Sequence, residues 1–280
     1  MTIFSFFLQR MKALAVVLTL LTVFLFSILS ANSGSKDFDP NETVIIEFRE
    51  LPVTLYNMVK ETNEPTKAAV FFPENYKTEK DFPLLIWLGG GNGGPGTNLK
   101  IPKSITGKND FICINLPLFK QTLEPVNADS SNFWMRLYID DENADIIWDS
   151  YKIMLNDIFK KIPNIDRKNT FMGGFSNGAH TISVLLNRRN SEINRYIKNY
   201  FIVEGGNDFQ HLDALKRRNL LVMVGGNNIE RSYKKKLKSI YDSAKEKNIN
   251  AEYIVMDSTG HGFPANFHPL VREWMEGCIK

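Results

Sequence analysis

Short, almost wholly apolar runs constrain this chain more than any other feature: Leu84 to Leu88, Phe111 to Leu116, Tyr200 to Val203 and Leu220 to Val224. A strand with one wet face alternates apolar and polar residues. A strand apolar at nearly every position is covered on both faces, as in a parallel sheet with helices above and below. Leu84–Leu88 empties into Gly89-Gly90-Gly91, and the last two runs close on Gly205-Gly206 and Gly225-Gly226. Thr43–Phe48, Val53–Val59, Ala68–Phe72, Thr170–Met172 and Glu252–Met256 read as further short strands. Between them, Ala144–Ile162, the stretch after Gly178 through Leu186, Ser232–Lys247 and Val271–Ile279 carry apolar residues at helical spacing. Residues 118–143 show no period and read as an irregular insertion that includes Phe133-Trp134. The alternation predicts an α/β fold, a doubly wound, mostly parallel sheet with helices on both faces.

Composition narrows the setting. With 43% apolar and 23% charged residues, the chain is ordinary for a folded domain. Its net charge of +3 owes two positives to Arg10 and Lys12, which precede an apolar tract from Ala13 to Leu29. Ala31-Asn32-Ser33 then offers small residues of the kind a signal peptidase reads. We expect residues 1–33 to be a signal peptide or an uncleaved N-terminal anchor, and residues 34–280 to form one domain exported from the cytoplasm. Without the leader the charge is nearly neutral, so no nucleic-acid partner is expected, and membrane contact is expected only through an uncleaved leader. Cys113 and Cys278 and the four histidines show no metal-ligand spacing, and no metal is predicted. The acidic run Asp140-Asp141-Glu142 reads as a solvated loop and helix start, and Lys234-Lys235-Lys236 as the wet face of a helix.

The residues that point to chemistry lie at strand ends. Gly174-Phe175-Ser176-Asn177-Gly178 follows a short strand and opens a helix, the strand-to-helix elbow that the G-x-S-x-G pattern requires. Glycines flank the serine because so tight a turn brings chain close to chain. Ser176 is the candidate nucleophile; a plain helix-capping serine is the alternative. A serine hydroxyl needs a base to take its proton. His261, in Gly260-His261-Gly262 after the last strand, is the candidate base, while His180, His211 and His268 fit less well. The oxyanion of an attacked carbonyl would need two amides: Asn177 N–H, and one from the loop at Gly90 and Gly91. That loop also fits G-x-G-x-x-G formally (Gly89, Gly91, Gly94), but Pro95, Pro102 and the lack of a helical period after it argue against dinucleotide binding.

These stretches, together with Phe71-Phe72-Pro73-Glu74-Asn75-Tyr76 and Ile165-Asp166-Arg167, resemble the α/β-hydrolase superfamily. Within it the chain is similar to secreted esterases of the feruloyl-esterase and polyhydroxybutyrate-depolymerase kind, over residues 66 to 280. The resemblance implies a serine carboxylic ester hydrolase with a Ser–His–acid triad, no cofactor, and a small-molecule or polymer-linked ester as substrate. Two departures stand out. Gly89 occupies the position where these proteins usually carry histidine. The acid, usually in Gly-x-x-Asp after the penultimate strand, meets Gly225-Gly226-Asn227-Asn228-Ile229-Glu230, so Asn228 stands in the acid slot. Asn228 and Glu230 are equal candidates for the group behind His261, with Asp208 after them. The altered slot also motivates a rival expectation, a non-catalytic protein of this fold that binds a glycan or polymer.

Overall fold

The computed structural model describes residues 38–49, 51, 65–91, 95–119, 141–207, 209–227 and 231–279. The expected leader, the strand over 53–59 and the insertion residues Phe133 and Trp134 lie outside them. So do the acid candidates Asp208, Asn228 and Glu230.

Eight strands form one sheet: β1 (Thr43–Phe48), β2 (Thr66–Phe71), β3 (Phe82–Leu88), β4 (Ile112–Leu116), β5 (Ile165–Phe175), β6 (Asn199–Val203), β7 (Asn219–Gly225) and β8 (Asn250–Met256). Their spatial order is β1-β2-β4-β3-β5-β6-β7-β8. β1 with β2 and β2 with β4 are antiparallel, and the remaining neighbours are parallel. The sheet is thus mixed and mostly parallel, the doubly wound arrangement the apolar runs predict.

Alternation along each strand divides the core into two layers. Leu84, Ile86, Ile114, Met172, Tyr200, Ile202 and Val222 point to one face. There α2 (Asp141–Lys161), α3 (Asn177–Tyr196) and α4 (Arg231–Glu246) lay down Trp148, Tyr151, Ile182, Leu185, Leu237 and Ile240. Leu85, Trp87, Cys113, Phe171, Phe201 and Met223 point to the other, under α1 (Lys100–Thr106) and α5 (His268–Cys278), which contribute Ile105, Val271, Trp274 and Met275. Each such side chain gains roughly 1.5–3 kcal/mol from leaving water, so neither face of a central strand can be left uncovered.

Several elements differ from the sequence reading. α1 was not expected, because Pro102 interrupts any apolar period. It sits in the first turn, where a backbone N–H has no helical partner in any case. Pro269 does the same in α5, which starts three residues before the expected Val271. β5 begins at Ile165 rather than Thr170, and its register against β3 slips so that Pro83 pairs with Asp166 and Leu84 with Thr170.

The strands that carry the site are held in register from their far ends. Asn199, Asn219 and Asn250 are cross-strand partners at the starts of β6, β7 and β8. Asn250 Nδ2 donates to Asn219 Oδ1 at 2.6 Å, and Asn219 Nδ2 to Asn199 Oδ1 at 2.6 Å. This amide ladder fixes which residues emerge together at the carboxyl edge, since a slip of one position would turn every side chain over.

Candidate active site

The carboxyl ends of β5, β6 and β8 converge, and each is followed by one side chain of a hydrogen-bonded series. After β5 the chain turns into α3 through Ser176, whose φ of 52° and ψ of −116° are unusual for a residue with a Cβ. Such a backbone costs of order 1–3 kcal/mol and persists only where its surroundings over-determine it. Two glycines make the turn sterically possible. A Cβ on Gly174 would lie 2.5 Å from the Gly178 carbonyl carbon, and one on Gly178 would lie 2.2 Å from Leu88 O. Ser176 N–H donates to Val203 O at 2.9 Å, which ties the turn to the end of β6. The serine is half-buried at the amino end of α3, where the helix dipole favours developing negative charge.

His261 Nε2 lies 3.0 Å from Ser176 Oγ, and His261 Nδ1 lies 3.0 Å from Glu204 Oε2. The imidazole packs on Phe175, ring centroids 5.3 Å apart, and keeps an exposed edge. Its loop is held against the end of β7: Gly226 N–H donates to Met256 O at 2.8 Å and Asn227 N–H to Thr259 O at 2.9 Å.

Glu204 is the residue the sequence reading missed. The carboxylate on His261 follows β6, one strand earlier than the Gly-x-x-Asp slot that pointed to Asn228 and Glu230. Glu204 is fully buried, and its backbone is also left-handed, with φ 51°. A buried carboxylate is costly unless it is paired and hydrogen-bonded. Besides the imidazole, it accepts a hydrogen bond through Oε1 from Gly225 N–H. Gly205 lets the turn close, since a Cβ there would stand 2.2 Å from Ser176 O. A signal was present: Glu204 directly follows the apolar run Tyr200–Val203 and directly precedes Gly-Gly. Which strand ends stand side by side is the information that one sequence lacks.

The loop after β3 lies against the turn. Asn177 Nδ2 donates to Gly91 O at 2.6 Å, and Gly90 is packed so closely on Phe175 that a Cβ would meet its ring at 2.7 Å. Asn177, Gly90 and Gly91, the residues expected to supply oxyanion amides, are therefore neighbours. The Asn177 side chain is a link the sequence reading had not assigned.

His180 is buried one turn into α3, beneath the serine. Gly206 N–H donates to its Nδ1 at 3.3 Å, and Asn207 Oδ1 is 3.2 Å from the same nitrogen. Burial, with a smaller contribution from Lys236, pushes its pKa down to about 4, so the ring is neutral and supports the Glu204 turn. Among the described residues no group of three His, Cys, Asp or Glu could hold a metal, and no helix is long and apolar enough to cross a membrane.

No protein-family model matches this sequence, and no curated protein matches it. Solved structures do. A ferulic acid esterase from the anaerobic fungus Anaeromyces mucronatus superposes with a TM-score of 0.54 at 14% identity, covering 86% of this chain and 91% of that one. An esterase from Pyrobaculum calidifontis gives 0.55 at 12% identity, covering 94% and 92%. An arylesterase gives 0.58 at 9% identity, covering 90% of each chain. At such identities the likeness is one of fold: this chain has the α/β-hydrolase fold that these esterases share.

Proposed function

We propose that this chain is a serine hydrolase that cleaves carboxylic esters through an acyl-enzyme on Ser176. The observation that carries the reading is the hydrogen-bonded series Ser176 Oγ, His261 Nε2, His261 Nδ1, Glu204 Oε2. In this scheme Ser176 Oγ attacks the ester carbonyl as His261 Nε2 takes its proton. Glu204 stabilises the imidazolium and holds the tautomer that presents Nε2 to the serine. The tetrahedral oxyanion is received by the Asn177 amide and an amide at Gly90 or Gly91. Collapse expels the alcohol, protonated by His261. Water, deprotonated by the same nitrogen, then attacks the acyl group and frees Ser176. Every step uses side chains and backbone of this chain, so no cofactor is needed.

The rival, a non-catalytic binder of glycan or polymer, drew on the altered acid slot, and a buried carboxylate on His261 removes that motive. Two of the comparison structures are a ferulic acid esterase and an arylesterase, which makes esters with an aromatic group on the acyl or the alcohol side, free or polymer-linked, the first substrates to try. The apolar tract after Arg10 and Lys12 supports export, with the domain outside the cytoplasm.

Incubating the folded domain with a fluorophosphonate and mapping the adduct tests the reading. We expect covalent label on Ser176 and turnover of p-nitrophenyl acetate, both lost in Ser176→Ala. Neither label nor turnover in the wild type would overturn it.

A further inference from the structure

We infer that the free edge of β8, with the charged row of α4 beside it, is a two-fold interface for a second copy of this chain. The inference is independent of the ester-hydrolase reading and rests on the last strand of the sheet and the helix that covers it.

β8 stands at the end of the sheet order, and among the described residues only β7 pairs with it. Its seven residues keep unbroken register with β7 and leave Tyr253, Ile254 and Val255 half-buried. An open edge is a template for another strand, and proteins that stay single blunt it with lysine, proline, a bulge or a very short strand. β8 has none of these, and its one charge is Glu252. Antiparallel pairing about a two-fold axis at Ile254 sets Tyr253 opposite the partner's Val255. It sets Glu252 opposite the partner's Met256, so like charges do not meet.

Beside that edge, β8 and α4 leave a groove of about 510 Å³ with Tyr253 and Val255 in its wall. Lys234, Lys238, Asp242 and Glu246 line it at four-residue spacing, one row along a helix face. The order is two cations, then two carboxylates. Such a row serves α4 poorly. It sets like charges at i and i+4 twice, and it places cations towards the amino end and carboxylates towards the carboxyl end, against the helix dipole. Within one chain, the ion pair of the row among the described residues is Lys238 with Asp242. Turned end for end, the row is its own complement: Lys234 meets the partner's Glu246, and Lys238 the partner's Asp242. Strand and row also share one level. The Tyr253 ring lies 5.5 Å from that of Tyr241, and Lys238 Nζ is 5.9 Å from the Tyr253 centroid. One axis therefore pairs the two strands and matches the charges together, which selects a copy of this chain over an unrelated partner.

The test is sedimentation of the full-length chain in a density-matched detergent, with charge variants of α4. We expect the wild type to sediment as two chains. Lys234→Glu with Lys238→Glu makes the row all acidic, and Asp242→Lys with Glu246→Lys makes it all basic. Each double variant alone should raise the dissociation constant by about tenfold or more, with the circular dichroism spectrum unchanged. Mixing the two should restore a dimer, which shows that neither variant lost its fold. All four substitutions in one chain reverse the row and should also restore it. A wild type that sediments as one chain overturns the inference. So does a dimer that survives in both double variants, because association then runs through another surface, or a mixture that stays monomeric.

Discussion

Glu204 Oε2 lies 3.0 Å from His261 Nδ1, and the two residues are 57 positions apart on loops after β6 and β8. The carboxylate is fully buried while half of the imidazole side chain is exposed. That asymmetry suits a base that must meet substrate on one side and hold a fixed tautomer on the other. The second carboxylate oxygen accepts a hydrogen bond from the Gly225 amide. The main-chain bond from Ser176 N–H to Val203 O fixes the serine turn to the residue just before Glu204. The relative positions of Ser176 and Glu204 therefore depend on the ends of β5 and β6 lying next to one another.

The turn at Ser176 depends on Gly178. A Cβ there would come within 2.2 Å of Leu88 O and 2.5 Å of Gly89 O, both backbone atoms that cannot swing away. Gly178→Ala should cost about 1–3 kcal/mol or more of stability, read from urea unfolding. A variant as stable as the wild type would contradict the close approach of α3 to the β3 loop.

Asn177 should separate the side chain's work from that of its amide. Asn177→Ala keeps the backbone N–H but loses the 2.6 Å bond to Gly91 O. We predict a fall of about tenfold in kcat for p-nitrophenyl acetate, with about 1 kcal/mol of stability lost. An unchanged kcat would mean that the loop holds its oxyanion geometry without this link.

His180 makes stability depend on pH. Its folded pKa of about 4 lies below the ordinary 6.5, because burial, and then Lys236, disfavour the charged ring. Between those values the unfolded chain binds more protons than the folded one, so stability falls as pH drops from 6.5 towards 4 and is fully present above 6.5. The contribution is on the order of 3 kcal/mol. His268, also held below its ordinary value by burial, acts in the same direction. Urea midpoints at pH 4.5 and 7 should differ, and His180→Gln should narrow the gap. An undiminished gap in that variant would contradict this assignment.

What could be read from the sequence followed from local rules. The apolar runs specify strands covered on both faces, and the G-x-S-x-G elbow ties a serine to a strand end, which is why the fold class and the two residues now found 3.0 Å apart, Ser176 and His261, could be named. Glu204 escaped because its contact with His261 depends on strand order, a tertiary fact, and because it looks like the ordinary polar end of an apolar run. α1 escaped because seven residues with a proline carry no period. The side-chain links from Asn177 to Gly91 and from Asn115 to Asn98 span 86 and 17 positions, so no local pattern announces them.

The most direct measurement is kcat for p-nitrophenyl acetate in Glu204→Gln, set beside Asn228→Ala and Glu230→Gln. Glutamine preserves the shape of Glu204 but removes its charge and can present the wrong hydrogen-bonding atom to His261. A relay through Glu204 predicts a loss of about 10²- to 10⁴-fold in that variant alone, with folding intact by circular dichroism. Near-wild-type kcat in Glu204→Gln, or a collapse in Asn228→Ala or Glu230→Gln instead, would contradict it.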